Sequence, residues 1–161
     1  MRKINVLQKV NVVSIQLVKE KALTTYGSKQ IVGTKDAAAI AKDFLAGVDR
    51  EHTVVMCLDT RQNINALNTI SVGTLNSTLV HPREVFKPAI LANSNAIIIF
   101  HNHPSGDPSP SRDDLDITKR LVEAGNILGI EVLDHIIIGD NGSYVSLKER
   151  GVIKQVNDLS D

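Results

Sequence analysis

Two hydrophobic periods alternate along the chain. Residues 10–18 (VNVVSIQLV) alternate crudely between apolar and polar side chains and are rich in β-branched residues, which predicts a strand polar enough to lie at a sheet edge. In KDAAAIAKDFLAG, which follows Thr34, the residues Ala38, Ile40, Ala41, Phe44 and Leu45 fall on one helical face, with Thr34 the expected N-cap and Gly47 the expected stop. Residues 53–58 (TVVMCL) are continuously apolar and residues 64–72 alternate. The polar Asp59-Thr60-Arg61-Gln62-Asn63 between them predicts an antiparallel hairpin. Pro82 stands at a first helical position and opens a helix over PREVFK that Pro88 shortens or kinks. Residues 96–100 (AIIIF) are too few for a helix and too rich in isoleucine for a surface strand, which predicts a central buried strand running into His101.

A loop punctuated by Pro104, Pro108 and Pro110 leads to Ser111, after which Leu115, Thr118, Leu121, Val122 and Ala124 mark one face of a long helix ended by Gly125 or Gly129. Residues 131–138 and 143–147 flank Gly139-Asp140-Asn141-Gly142 and predict a second hairpin. The expected fold class is therefore α/β of the α+β type, a mixed and largely antiparallel sheet flanked by helices. No repeat or linker divides the 161 residues. The expected organisation is an N-terminal strand and extension over 1–33, one domain over 34–155 and a polar tail over 156–161.

Composition narrows the partners. Lysine plus arginine and aspartate plus glutamate both number 18, so no chain-wide basic surface for phosphates is expected. Cys57 is the single cysteine, which excludes an intramolecular disulfide and a multi-cysteine zinc knot and points to a reducing, cytoplasmic setting. No apolar stretch approaches the roughly 20 residues of a spanning helix, so no membrane partner is expected.

The chemistry concentrates in HNHPSGDPSPSRDD, residues 101–114. Side chains two apart on a strand share a face, so His101 and His103 can present both imidazoles to one ion, and Asp114 in the first turn of the following helix can add a carboxylate. Two histidines, a carboxylate and an open fourth position make the pattern of a catalytic rather than a structural zinc. Each part also has an ordinary reading. Ser111 with Asp114 resembles a capping box, and acidic residues in a first turn suit the helix dipole. Asp107 and Asp113 stand close enough to substitute for Asp114, although the spacing favours Asp114. His135 in LDHIIIGD reads as a satisfied histidine in an apolar strand, with orientation of a metal ligand as the alternative. His81 reads as a loop residue, His52 as outward-facing, and Cys57 as a small buried hydrophobe.

The spacing His101-x-His103, seven residues, Ser111, two residues, Asp114 resembles the signature of the JAMM (MPN+) metalloprotease superfamily. The flanking words HPREVFKPAI, TKRLVEAG and LDHIIIGD look like its bacterial RadC-like branch. The resemblance covers roughly residues 34–151. It implies a JAB/MPN domain with a cytidine-deaminase-like fold, one Zn2+ per chain held by His101, His103 and Asp114, Ser111 beside the reacting centre, and an upstream glutamate as general base. Glu51, at the entry to the apolar run 53–58, is preferred to Glu84, whose place at a helix start has an ordinary dipole explanation. The implied activity is hydrolysis of a peptide or isopeptide bond in a protein or peptide substrate. The alternative is a DNA-repair or DNA-processing accessory protein without peptidase activity. Zero net charge, 3% aromatic residues and the expected absence of the branch's N-terminal helix-hairpin-helix weigh against tight nucleic-acid binding. A third reading is a scaffold that keeps the fold without turnover, weakened because every ligand type is present. A homodimer could form through the edge of the N-terminal strand.

Overall fold

The computed structural model describes residues 10–23, 29–73 and 80–154. Its elements run α1 (Thr34–Phe44), β1 (His52–Leu58), β2 (Ile64–Val72), α2 (Pro82–Leu91), β3 (Ala96–Asn102), α3 (Arg112–Leu128), β4 (Glu131–Ile138) and β5 (Tyr144–Ser146). The sheet order is β2-β1-β3-β4-β5, antiparallel throughout except for the parallel pair β3/β4. This is the mixed, largely antiparallel α+β architecture expected, and it fits a JAB/MPN fold.

Helices cover both faces of the sheet, and strand parity sorts the side chains between them. Val54, Met56, Leu58, Ile98, Phe100 and Ile136 pack with α1. On the other face Val55, Cys57, Ile97, Ile99, Ile137 and Val132 pack with Val85 and Phe86 of α2 and Leu121 of α3. The central strands β1 and β3 are buried on both faces, which is why their sequences are continuously apolar rather than alternating. The parity of β3 and β4 puts His101 and His135 on the side of α3 and Asp134 on the side of α1. There the Asp134 carboxylate accepts from Ser146 Oγ at 2.6 Å and Thr34 Oγ1 at 3.4 Å.

Several local expectations are corrected. No strand forms over 10–18. Residues 10–23 carry no regular structure and leave Val10, Val12 and Ile15 largely exposed, because no ladder receives them and a strand without a partner has nothing to stabilise it. Among the described residues upstream of α1, Gln30 pairs with Asn63 in an isolated bridge. Thr34 is the first helical residue of α1 and not its cap. Gly33 is the N-cap, and the Asp36 carboxylate accepts from the backbone N–H groups of Val32 and Gly33. Gly47 lies in the turn beyond the helix, with φ +76°. The α2 helix continues through Pro88 to Leu91, and His81 caps it by accepting from Arg83 N at 3.2 Å rather than sitting idle in a loop. Gly129, in the left-handed region, ends α3. The expected tail over 156–161 lies outside the described residues. Among them, no helix is long and apolar enough to cross a membrane.

Candidate metal centre

The β3–α3–β4 unit places the site. His101 is in the last turnings of β3, His103 directly follows the strand, and Asp114 lies in the first turn of α3, so the chemistry gathers at the carboxyl end of a strand and the amino end of a helix. The intervening loop is fastened rather than loose. Gly106 N donates to His103 O, Asp140 N donates to Gly106 O, and His103 Nδ1 donates to Asp107 O at 2.8 Å. A side chain at Gly106 would collide with Asp140 Oδ2, and one at Gly139 would meet Gly106 O, so the loop and the β4–β5 turn approach at backbone distance.

At the centre, His101 Nε2 lies 3.0 Å from His103 Nε2 and 3.3 Å from Asp114 Oδ1, and His103 Nε2 lies 3.5 Å from Asp114 Oδ2. Among the described residues these three form the one group of histidine, cysteine and acidic side chains whose ligand atoms converge, all within 4.8 Å of one another. Metal bonds of about 2.0–2.1 Å at a tetrahedral angle place neighbouring ligand atoms roughly 3.3 Å apart. The observed separations fit a zinc-sized ion, and two imidazoles with one carboxylate are the donor chemistry that ion takes.

The electrostatics follow burial. His101, 2% exposed, is pushed down to about 3 by burial and the neighbouring histidines, and fully buried His135 to about 4, chiefly by burial. His103 is raised, first by its hydrogen bond with Asp114. Burial would raise Asp114, but hydrogen bonds from His103 and Ser111 outweigh it and hold the carboxyl well below the usual carboxylate range. Ser111 is wholly committed to this aspartate. Its hydroxyl donates to Asp114 Oδ2 at 2.6 Å, its N–H donates to the same oxygen at 2.7 Å, and Oγ accepts from Asp114 N at 3.1 Å. The capping box thus holds the carboxylate of a candidate metal ligand.

The centre opens into a cavity of about 240 Å3 lined by Glu51, His101, Asp114, His135 and the apolar Val80 and Ile117. Glu51 is half-buried there and raised by that burial, with Asp114 adding to the rise and His103 opposing it. Glu84 is elsewhere. It faces Lys87 Nζ at 2.9 Å and Arg83 Nε at 3.5 Å, which lower it, and it does not line this cavity. Asp113 lines the cavity without joining the ligand cluster, and Asp107 turns its carboxylate to Ser109 N. His52 Nδ1 contacts Arg50 O, and Cys57 is fully buried.

Three residues matter here beyond the motif. Asn102, between the two histidines but on the opposite face, accepts from His52 N at 2.8 Å and donates to Arg50 O at 3.0 Å, so one amide brackets Glu51. His135 is buried in β4 with its Nε2 2.9 Å from His101 Nδ1, a satisfied histidine whose partner is a candidate metal ligand. Thr118, expected only as part of an apolar helix face, contacts His135 Nδ1 at 2.6 Å and Asp114 O at 2.5 Å. A threonine in an otherwise apolar stripe, four residues after a ligand, was the available signal.

A family model described as a RadC-like JAB domain matches residues 31–152. A UPF0758 protein of Desulfitobacterium hafniense is 58% identical over 119 residues, which are 74% of this chain and 52% of that protein. Others are those of Caldanaerobacter subterraneus subsp. tengcongensis, 49% identical over 139 residues (86% and 59%), and of Moorella thermoacetica, 48% over 140 (87% and 61%). The chain thus spans little more than half the length of these relatives.

Proposed function

The chain belongs to the family of RadC-like JAB domains, and on that premise we propose that it is a zinc-dependent hydrolase of a peptide or isopeptide bond. The observation that carries this reading is the convergence of His101 Nε2, His103 Nε2 and the Asp114 carboxylate beside a cavity lined by His101, Asp114 and Glu51. One zinc ion held by these three residues would act as a Lewis acid and lower the pKa of water at the site to about 7.

The chain's own residues supply the rest. Glu51 takes a proton from the attacking water and returns it to the leaving nitrogen; its burial favours holding that proton in between. Asn102 keeps the Glu51 backbone at the mouth of β1 through hydrogen bonds on either side. Ser111 orients Asp114, and its expected donation to a developing oxyanion requires its hydroxyl to turn from Asp114 Oδ2 toward the substrate. Val80 and Ile117 give the cavity apolar walls that limit water around the reacting bond. With Cys57 as its single, buried cysteine, the chain works in a reducing compartment such as the cytoplasm.

Elemental analysis of the purified chain tests the metal, and a library of peptides and isopeptide-linked peptides tests the reaction. Wild type should hold about one zinc per chain, with His103→Ala and Asp114→Ala holding none. Glu51→Gln should keep the zinc and lose turnover by roughly 10²–10⁴-fold. Absence of zinc from the wild type after zinc is supplied would end the hydrolase reading.

A further inference from the structure

The hydrogen bonds behind the ligands form a chain that starts and ends at the centre. From Asp114 the path runs through its carbonyl to Thr118 Oγ1, on to His135 Nδ1, across that ring to Nε2, to His101 Nδ1, and across the second ring to His101 Nε2, which faces the Asp114 carboxylate. Every link but the last is between 2.5 and 2.9 Å. We infer that Thr118 and His135 are positioning residues that hold His101 in its Nδ1-protonated tautomer, so that the Nε2 lone pair faces His103 and Asp114; this rests on the metal-centre reading above.

Donor counting gives the direction of each bond. The Asp114 carbonyl can only accept, so the single hydroxyl proton of Thr118 goes to it. Thr118 Oγ1 must then accept from His135, which puts a proton on His135 Nδ1. A second proton on His135 would place a charge on a side chain 3% exposed within an isoleucine strand, a placement burial opposes. His135 Nε2 is therefore an acceptor, and His101 Nδ1, 2.9 Å away, is the donor that fills it. In neutral His101 that leaves Nε2 unprotonated.

The other ligand is set independently. His103 Nδ1 can only donate to the Asp107 carbonyl, which turns its Nε2 toward His101 Nε2 at 3.0 Å. The helix contributes twice to the centre, with Asp114 as ligand and Thr118 one turn later as the group that fixes a ligand on the neighbouring strand. Reversing the Thr118 bond would leave two acceptor oxygens facing each other at 2.5 Å.

The test uses the full chain and Zn2+ alone, titrated against a chromophoric chelator, together with ¹⁵N NMR of the histidine rings in the zinc-free protein. Thr118→Val keeps the shape and removes the hydroxyl, and should weaken zinc binding about 10–100-fold, the usual effect of losing a partner behind a metal ligand. Thr118→Ser should restore wild-type affinity. His135→Phe should match Thr118→Val, and the double variant should be no weaker than either, because the residues act in series. In wild type His101 should carry its proton on Nδ1. A merely structural role for Thr118 would lower thermal stability in the valine variant while leaving zinc affinity and the ring proton in place, and that result overturns the inference, as does a His101 proton on Nε2 in wild type. Failure of wild type to bind zinc would instead overturn the hydrolase reading, while the tautomer measurement still decides the role of Thr118 and His135.

Discussion

Ser111 and Asp114 show how an ordinary helix cap can coincide with a candidate metal ligand. The hydroxyl and N–H of Ser111 both donate to Asp114 Oδ2, so the bonds that finish the helix also fix the carboxylate. Ser111→Ala should cost about 1 kcal/mol of stability, the usual value of an N-cap, and should weaken zinc binding as well. Thermal melts of the zinc-free chain and a zinc titration separate the two effects. Glu51 carries the opposite expectation. Burial raises its pKa in the folded chain above the ordinary 4.5, so its contribution to stability is present below that pH and is lost as pH rises through the folded value. At neutral pH the ionised carboxylate therefore opposes folding. Glu51→Gln should stabilise the zinc-free protein by well under ~1 kcal/mol, since the group is partly solvated, and so raise its melting temperature slightly, while turnover is lost. An unchanged or lower melting temperature would mean that Glu51 is not held against its own solvation. His101, His103 and Asp114 were legible in the sequence because strand parity and one helical turn are local rules. Asn102 was not, since its partners lie 50 and 52 residues away, and the contact between Thr118 and His135, 17 residues apart, is likewise a tertiary link that neither residue's own pattern shows.

Periodicity read the elements best where burial is strongest. The runs 53–58 and 96–100 gave β1 and β3 within two residues at either end, because a strand covered on both faces offers mostly apolar positions, and 131–138 gave β4 despite its buried Asp134 and His135. It failed over 10–18, where the pattern was right but no ladder took the segment, and pairing is a tertiary fact. Gly125 is the other place where tertiary contact outweighs a local signal. As a glycine near a helix end it could have been the stop, yet α3 continues past it, and a Cβ there would lie 2.5 Å from Ile130 O and 3.3 Å from Phe86. Alanine, the better helix former by about 1 kcal/mol elsewhere, should here destabilise by roughly 1–3 kcal/mol through overpacking. Chemical denaturation of Gly125→Ala checks the sign, and a stabilised variant would show that β4 can move away from α3 at little cost.

At the scale of the molecule, the centre joins parts of the chain that the sheet alone does not lock. His101 and His103 belong to β3 and its exit, Asp114 to α3, and the fastened loop between them also contacts the β4–β5 turn. A cation bound by all three residues binds only the folded arrangement, so its affinity adds directly to stability. At free zinc a hundredfold above the dissociation constant the gain is about 2.7 kcal/mol, which for a domain of this size corresponds to a rise of roughly 5–10 °C in melting temperature. Chelator should reverse the shift in the wild type, and His103→Ala or Asp114→Ala should melt at one temperature with or without zinc. Ser111→Ala and Thr118→Val should fall between, their shifts returning at higher zinc because affinity and not the ligand set is what they change. A wild-type melting temperature indifferent to both zinc and chelator would mean that the three side chains meet without holding an ion.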